Sequence, residues 1–187
     1  MMHKLFVYIL LIVSSQILAP IHVMANTARP PNTLNAVLKD DTYIKVGETT
    51  FSILFWDLYK SKLQTTSGKY PIECETDKLI YNINYLADIS GKDLIERTVE
   101  QWQHLGINPE TYQVYLPVLE NIWPDIEDGD TLSLHVINNK SMFYFNNDFI
   151  GEIVQPEFSQ LFLDIWLSKN TSEPELRLEL LGVNNNE

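Results

Sequence analysis

The chain is poor in cysteine, in basic residues and in histidine. Its 187 residues hold one cysteine, which excludes an intrachain disulfide and a thiolate metal cluster. Cys74 lies in the stretch PIECETDK between Glu73 and Glu75, whose charges disfavour the thiolate and blunt its reactivity. Lys and Arg total 13 against 25 Asp and Glu, a formal net charge of −12. So acidic a chain lacks the electrostatic footprint of a nucleic-acid binder and is repelled by anionic lipid surfaces. Beyond residue 25 the only histidines are His104 and His135, far apart and without a ligand at metal spacing, so no zinc centre is expected. The acidic stretch Asp125–Asp130 has its glycine at the wrong offset for a calcium loop and no closing glutamate; it reads as a turn before a strand. No Ser-His-Asp or Cys-His arrangement is legible, and no cofactor is implied.

Long apolar runs are also scarce. One occurs, Leu5 to Leu18, preceded by His3 and Lys4 and broken at Pro20. It is short for a membrane span. Val23-Met24-Ala25 puts small residues where a signal peptidase reads. Residues 1–25 are therefore expected to be a signal peptide, with cleavage after Ala25 and a periplasmic or secreted product. No cysteine follows the run, which argues against a lipoprotein anchor. No further segment is long and apolar enough to span a bilayer.

What remains is the length of one domain. Residues 26–42 open with the polar, proline-containing NTARPPNTLN and are expected to form a mobile lead-in. Residues 43–182 carry the periodic segments, and 183–187 a frayed tail. Tyr43 to Val46 alternates as a strand, with Gly47-Glu48 as a turn. Thr49 to Tyr59 reads as one strand with both faces apolar, hence central and covered on both sides. Thr65 to Lys69 is a loop. Leu79 to Leu86 is another strand, with Leu79, Tyr81, Ile83 and Tyr85 on one face.

Ser90 caps a helix whose stripe is Leu94, Ile95, Thr98, Trp102 and Leu105, ended by Gly106. Asn108-Pro109 starts a second helix, which Pro117 should kink or divide. Leu132, Leu134 and Val136 mark a strand. Asn138-Asn139-Lys140 and Asn146-Asn147-Asp148 are hairpin tips around two short strands. Pro156 opens a helix carrying Phe158, Leu161, Phe162, Ile165 and Trp166. Ser172 and Pro174 open a last helix closed by Gly182. Strands followed by packing helices make the fold class α+β: an antiparallel sheet with helices on it.

The blocks VGETTFSILFWDLYKSKL, YLADISGKDLIERTVEQWQHLG, IWPDIEDGDTLSLHV, FYFNNDFIGEI, FSQLFLDIWLS and EPELRLELLG together resemble the bacterial, secreted branch of the chalcone isomerase-like proteins. Their order and spacing, from about Tyr43 to Gly182, carry the resemblance. It implies an open-faced β-sandwich, in which a large antiparallel sheet is covered by helices with a ligand cleft between them. The family includes enzymes that cyclise chalcones and non-catalytic members, some of which bind fatty acids. The enzymes use an arginine and a threonine on the first two strands, and a tyrosine and an asparagine on the helix after the third. Alignment puts Thr42, Leu54, Ser90 and Arg97 at these positions, so none of the four is kept. No arginine occurs between Arg29 and Arg97. Cyclisation needs a cation on the phenolate and a donor on the ketone, so isomerase activity is not expected.

Candidate ligand-binding residues are Arg97, Trp56, Tyr59, Tyr85, Trp102 and Tyr115. A guanidinium matches a carboxylate, but Arg97 on a helix flank can equally pair with Glu100 or Asp93. Lys45, Lys60 and Lys62 can serve the same role or stand as surface charges. The aromatics suit a cleft, and suit an ordinary core equally well. The leading expectation is a non-enzymatic domain holding an apolar or fatty-acid-like molecule between sheet and helices. Without a second cation, a neutral ligand fits better than a fatty carboxylate. A protein-interaction domain with a filled interior, using its acidic surface, and a residual isomerase or lyase with Tyr59 or Tyr85 as proton donor are the alternatives.

Overall fold

The computed structural model describes residues 30–72, 74 and 76–183. The expected signal peptide and its cleavage site lie outside these residues. Six strands form one antiparallel sheet in chain order: β1 (Ile44–Ile53), β2 (Trp56–Thr65), β3 (Leu79–Tyr85), β4 (Thr131–Ile137), β5 (Lys140–Phe145) and β6 (Asp148–Ile153). Among the described residues six helices complete the α+β fold: α1 (Leu34–Asp40), α2 (Gly91–His104), α3 (Pro109–Tyr112), α4 (Leu116–Ile122), α5 (Pro156–Leu167) and α6 (Pro174–Leu180). No helix among the described residues is long and apolar enough to cross a membrane.

Local chemistry accounts for most boundaries. Ser90 Oγ accepts from the Asp93 amide at 3.1 Å, and Asn108 Oδ1 from the Glu110 amide at 3.1 Å, each satisfying an otherwise orphaned donor. Pro117 falls in the first turn of α4, where its missing N–H costs nothing, so it divides the helical segment rather than bending it. The β4–β5 and β5–β6 hairpins turn on Asn138-Asn139 and Asn146-Asn147, all four with positive φ, the conformation that two-residue hairpins demand and asparagine tolerates.

Three expectations need correction. Thr49–Tyr59 is not one central strand: the chain reverses at Leu54-Phe55, between the paired residues Ile53 and Trp56. Leu54 supplies the turn at φ 57°, a conformation uncommon for a side chain of its kind. The apolar alternation ran through the turn unbroken because no Gly, Asn or Pro marks it. Gly47-Glu48 is not a turn either. It belongs to a continuous β1 with an irregular register between Lys45 and Gly47, and such an extra residue bends a strand. The lead-in holds α1, capped by Thr33 Oγ1.

The main core lies on one face of the sheet. Leu79, Tyr81, Ile83 and Tyr85 of β3, with Leu132, Leu134 and Phe143, meet Leu94, Trp102, Leu119, Phe158 and Phe162 from the helices. The other face is partly covered: α1 brings Val37 against Ile80, Met142 and Tyr144. Beside this smaller cluster the face is polar. Asn82 links Gln64 and Ser133, and His135 Nε2 lies 2.9 Å from Tyr43 Oη.

His135 is 3% exposed and its Nδ1 has no hydrogen-bond partner among the described residues. Burial, reinforced by the Lys78 charge and opposed by Asp41, lowers its pKa to about 4. The unfolded chain takes up this proton near pH 6.5 and the folded chain only near 4. Stability from this group is therefore complete above pH 6.5 and falls as the pH drops to 4, by roughly 3 kcal/mol. The expected result is a urea midpoint that falls between pH 7 and pH 4.5, with a shallower fall in His135→Asn. Equal slopes in the two proteins would contradict this account.

Candidate functional site

A cleft of about 470 Å³ opens between the sheet and the helices. Phe51 and Ile53 of β1, Leu58 and Tyr59 of β2, and Ile83 and Tyr85 of β3 line its sheet side. The turn between β1 and β2 brings the first two pairs side by side, and β3 follows because the strands pair in sequence order. α2 contributes Leu94, Arg97, Thr98 and Gln101, and α5 contributes Phe162, Ile165 and Trp166. These helical residues recur every three to four positions, so one face of each helix looks inward. Ile89 and Trp123 close one wall, and Thr171 to Glu173, just before α6, reach the rim.

The lining is mostly apolar with a few placed polar groups, the composition of a small-molecule site. Trp166 Nε1 donates to Tyr59 Oη at 2.9 Å, leaving the Tyr59 proton to donate in turn. Tyr85 packs beside Tyr59, ring centroids 6.1 Å apart, and its hydroxyl has no hydrogen-bond partner among the described residues. Burial pushes Tyr59 up to about 12. Burial, with the neighbouring Tyr59, raises Tyr85 still further. Both phenols stay protonated at neutral pH and act as hydrogen-bond donors. Neither is matched to general acid–base work, which wants a pKa near the operating pH.

The charges of the cleft lie at its rim. Arg97 is exposed and its Nη1 pairs with Glu100 Oε2 at 2.8 Å. Asp88 and Glu173 are further carboxylates of the lining. Among the described residues the one cation of the lining is thus engaged and outnumbered, and no uncommitted guanidinium stands there for a bound carboxylate. Among the described residues no group of three or more His, Cys, Asp and Glu stands where it would hold a metal ion.

Of the six candidates from the sequence, Tyr59, Tyr85 and Arg97 line the cleft. The other three do not. Trp56 is 74% exposed at the hairpin end. Trp102 is fully buried, donates to the Leu161 carbonyl at 2.9 Å and stacks on Tyr112. Tyr115 packs edge-on against Phe158 in the core. Thr98, Trp123 and Trp166 are cleft residues that the sequence did not single out. Their periodic positions resemble those of core residues, and only the packing separates the two. Among the positions aligned with the enzymes' catalytic residues, Leu54 forms the exposed hairpin turn and Ser90 caps α2. Neither faces the cleft.

The comparisons agree with this architecture. The chain is 25% identical over 138 residues, 73% of its length and 67% of the relative's, to an uncharacterized protein of Haemophilus influenzae (strain ATCC 51907 / DSM 11121 / KW20 / Rd). Its fold matches the crystal structure of an Arabidopsis thaliana fatty-acid binding protein with a TM-score of 0.59 and 11% identity, covering 81% of this chain and 90% of that one. The sequence profile described as chalcone isomerase-like matches residues 51–182. By its sequence, its sheet and its helical layer, the chain belongs to the chalcone isomerase-like family.

Proposed function

We propose that this protein is a secreted, non-enzymatic binder of a neutral or weakly polar amphiphile with an aliphatic chain. One observation carries the reading: a cleft of about 470 Å³, within the range of small-molecule sites, whose interior polar groups are phenol and indole donors beside the Thr98 and Thr171 hydroxyls, which are spent on the Leu94 and Ile165 carbonyls. The likeness to a fatty-acid binding protein supports an apolar chain as ligand. The engaged Arg97 and the surrounding carboxylates favour an alcohol, ester or amide head over an ionised carboxylate. In this reading the Tyr85 and Tyr59 hydroxyls donate to the head's oxygen, and the chain lies against Phe51, Leu58, Ile83 and Leu94.

The test is a thermal-shift titration with a fatty alcohol and with the fatty acid of equal length at pH 8. The alcohol raises the melting temperature at lower concentration than the acid, since a ligand that binds only the folded state stabilises it by mass action. In Glu100→Gln, which releases Arg97, affinity for the acid rises a few-fold while that for the alcohol stays unchanged. The modest size follows from the exposure of the pair. Failure of both ligands to shift the melting temperature would contradict the reading.

A further inference from the structure

The β1–β2 hairpin ends in Ile53-Leu54-Phe55-Trp56, and all four side chains are exposed: 53%, 86%, 96% and 74%. Scattered apolar residues are normal on a surface, but a contiguous group of this size marks a contact site. The other two hairpins of the same sheet turn on Asn138-Asn139 and Asn146-Asn147. At this hairpin Leu54 adopts the positive φ that asparagine takes elsewhere, and Phe55 follows as the most exposed large apolar side chain of the described residues. Water-facing turns have no physical use for this pair; an apolar medium does.

We infer that this hairpin tip inserts into the headgroup–acyl boundary of a phospholipid bilayer, placing the mouth of the cleft at the membrane surface. Three observations favour a bilayer as the occupant. Apolar surface is continuous from cleft to tip, because Phe51 and Ile53 line the cleft and Ile53 is part of the exposed group. Trp is enriched at membrane interfaces, and Trp, Phe and Leu form the buried face of segments that lie in the interface. The hairpin is also the exception to an acidic chain: from Ile44 to Thr65 it carries Lys45, Lys60 and Lys62 against Glu48 and Asp57. No charge lies between Thr49 and Trp56. Lys60 stands about 13 Å along the strand from Trp56, level with lipid phosphates when the tip is immersed. Lys45 is held by Glu48; Lys60 is in no ion pair among the described residues. The net acidity of the whole chain restricts the target to membranes of low anionic content.

This contact deepens the ligand-binding reading, since an apolar molecule then passes between bilayer and cleft without crossing water, but the two are tested separately. The probe is vesicles of equimolar phosphatidylcholine and phosphatidylethanolamine, with and without lipids brominated near the top of the acyl chain. Trp102 and Trp123 are buried, but Trp166 is half-buried at the cleft, so the Trp56 signal is taken as the difference between the wild type and its Trp56→Phe variant. The N-terminal apolar run Leu5–Leu18, where still attached, is common to every variant compared. Trp56 emission is expected to shift to the blue and be quenched by the brominated lipid. The double variant Leu54→Asn, Phe55→Ser should lose at least tenfold in the partition coefficient of this quenched state at an unchanged melting temperature.

Wild-type Trp56 that stays unquenched overturns the inference, as does quenching that the double variant leaves intact. A concentration-dependent dimer that the double variant dissociates, with Trp56 unquenched by vesicles, would assign the tip to a second copy of this chain instead. A protein that takes up amphiphiles from solution while its tip stays unquenched would keep the cleft reading and lose the docking. A protein that quenches normally but binds no amphiphile would do the reverse.

Discussion

The double substitution Leu94→Trp, Thr98→Phe is expected to abolish amphiphile binding while leaving the fold intact. Both residues lie on the face of α2 that looks into the cleft, one helical turn apart, so the two new rings occupy the same stretch of the 470 Å³ space. The Thr98 hydroxyl donates only to the Leu94 carbonyl of its own helix, at 2.8 Å. Its loss leaves no orphaned donor, and the carbonyl keeps its place in the helix. In a close-packed core, added volume of this kind costs about 1–3 kcal/mol through strain. Leu94 also belongs to the core, so part of this cost remains, but much of the added volume enters the cleft and the melting temperature should fall by only a few degrees. Affinity for a fatty alcohol should fall at least a hundredfold, which is about 2.7 kcal/mol. Isothermal titration of the two proteins measures this. Unchanged affinity in the folded double variant would place the ligand elsewhere.

The second large effect concerns stability, and it arises where the edge of the sheet is sealed. α6 lies across β1 at Gly47: a Cβ there would sit 2.1 Å from the Glu179 carbonyl oxygen and 2.4 Å from that of Leu180. Gly182, at φ +69°, brings the chain back over Val46, whose carbonyl oxygen would lie 2.6 Å from an added Cβ. Thr49 Oγ1 donates to the Glu179 carboxylate beside this crossing. The result is a covered edge strand, one of the ways a sheet avoids pairing with other chains. The obstacles to a Cβ are backbone atoms, which do not swing aside. Gly47→Ala should therefore force α6 off the strand at a cost of about 3 kcal/mol or more, or a fall of roughly 6–12 °C in melting temperature. Thr171 to Glu173 lead from the cleft rim into α6, so amphiphile affinity should drop as well. Calorimetry of the variant checks the first effect. A melting temperature within two degrees of wild type, a margin below the roughly 2–4 °C expected for each kcal/mol, would show that α6 is not pressed on Gly47 in solution.

Much of the fold could be read from local signals that carry their own mechanism. Ser90 and Asn108 cap helices because their side chains reach the amides two or three residues on. The Asn-Asn pairs turn hairpins because asparagine tolerates positive φ. Leu79, Tyr81, Ile83 and Tyr85 share a face because the strand period is two. The β1–β2 hairpin was not legible for the opposite reason: Leu54-Phe55 turns the chain with residues that signal continuation, and an apolar tip reads as apolar core. The cleft was legible only in part. Tyr59, Tyr85 and Arg97 line it, whereas Trp102 and Tyr115 sit in closed packing and Trp56 in the open. Trp102 on α2 and Trp166 on α5 occupy equivalent places in their helical stripes. One meets the Leu161 carbonyl in the core and the other the Tyr59 hydroxyl at the cleft. That difference lies in how the helices cross the sheet, which no stripe encodes.

The central claim is that the cleft holds a neutral amphiphile. It is tested most directly by native mass spectrometry of the protein purified from the periplasm of an expression host, followed by organic extraction of what it carries. A discrete added mass that extracts as an uncharged, aliphatic molecule, and that is missing from the Leu94→Trp, Thr98→Phe variant, is the predicted result. A protein that flies without added mass, and stays so after incubation with fatty alcohols and fatty acids, would contradict it.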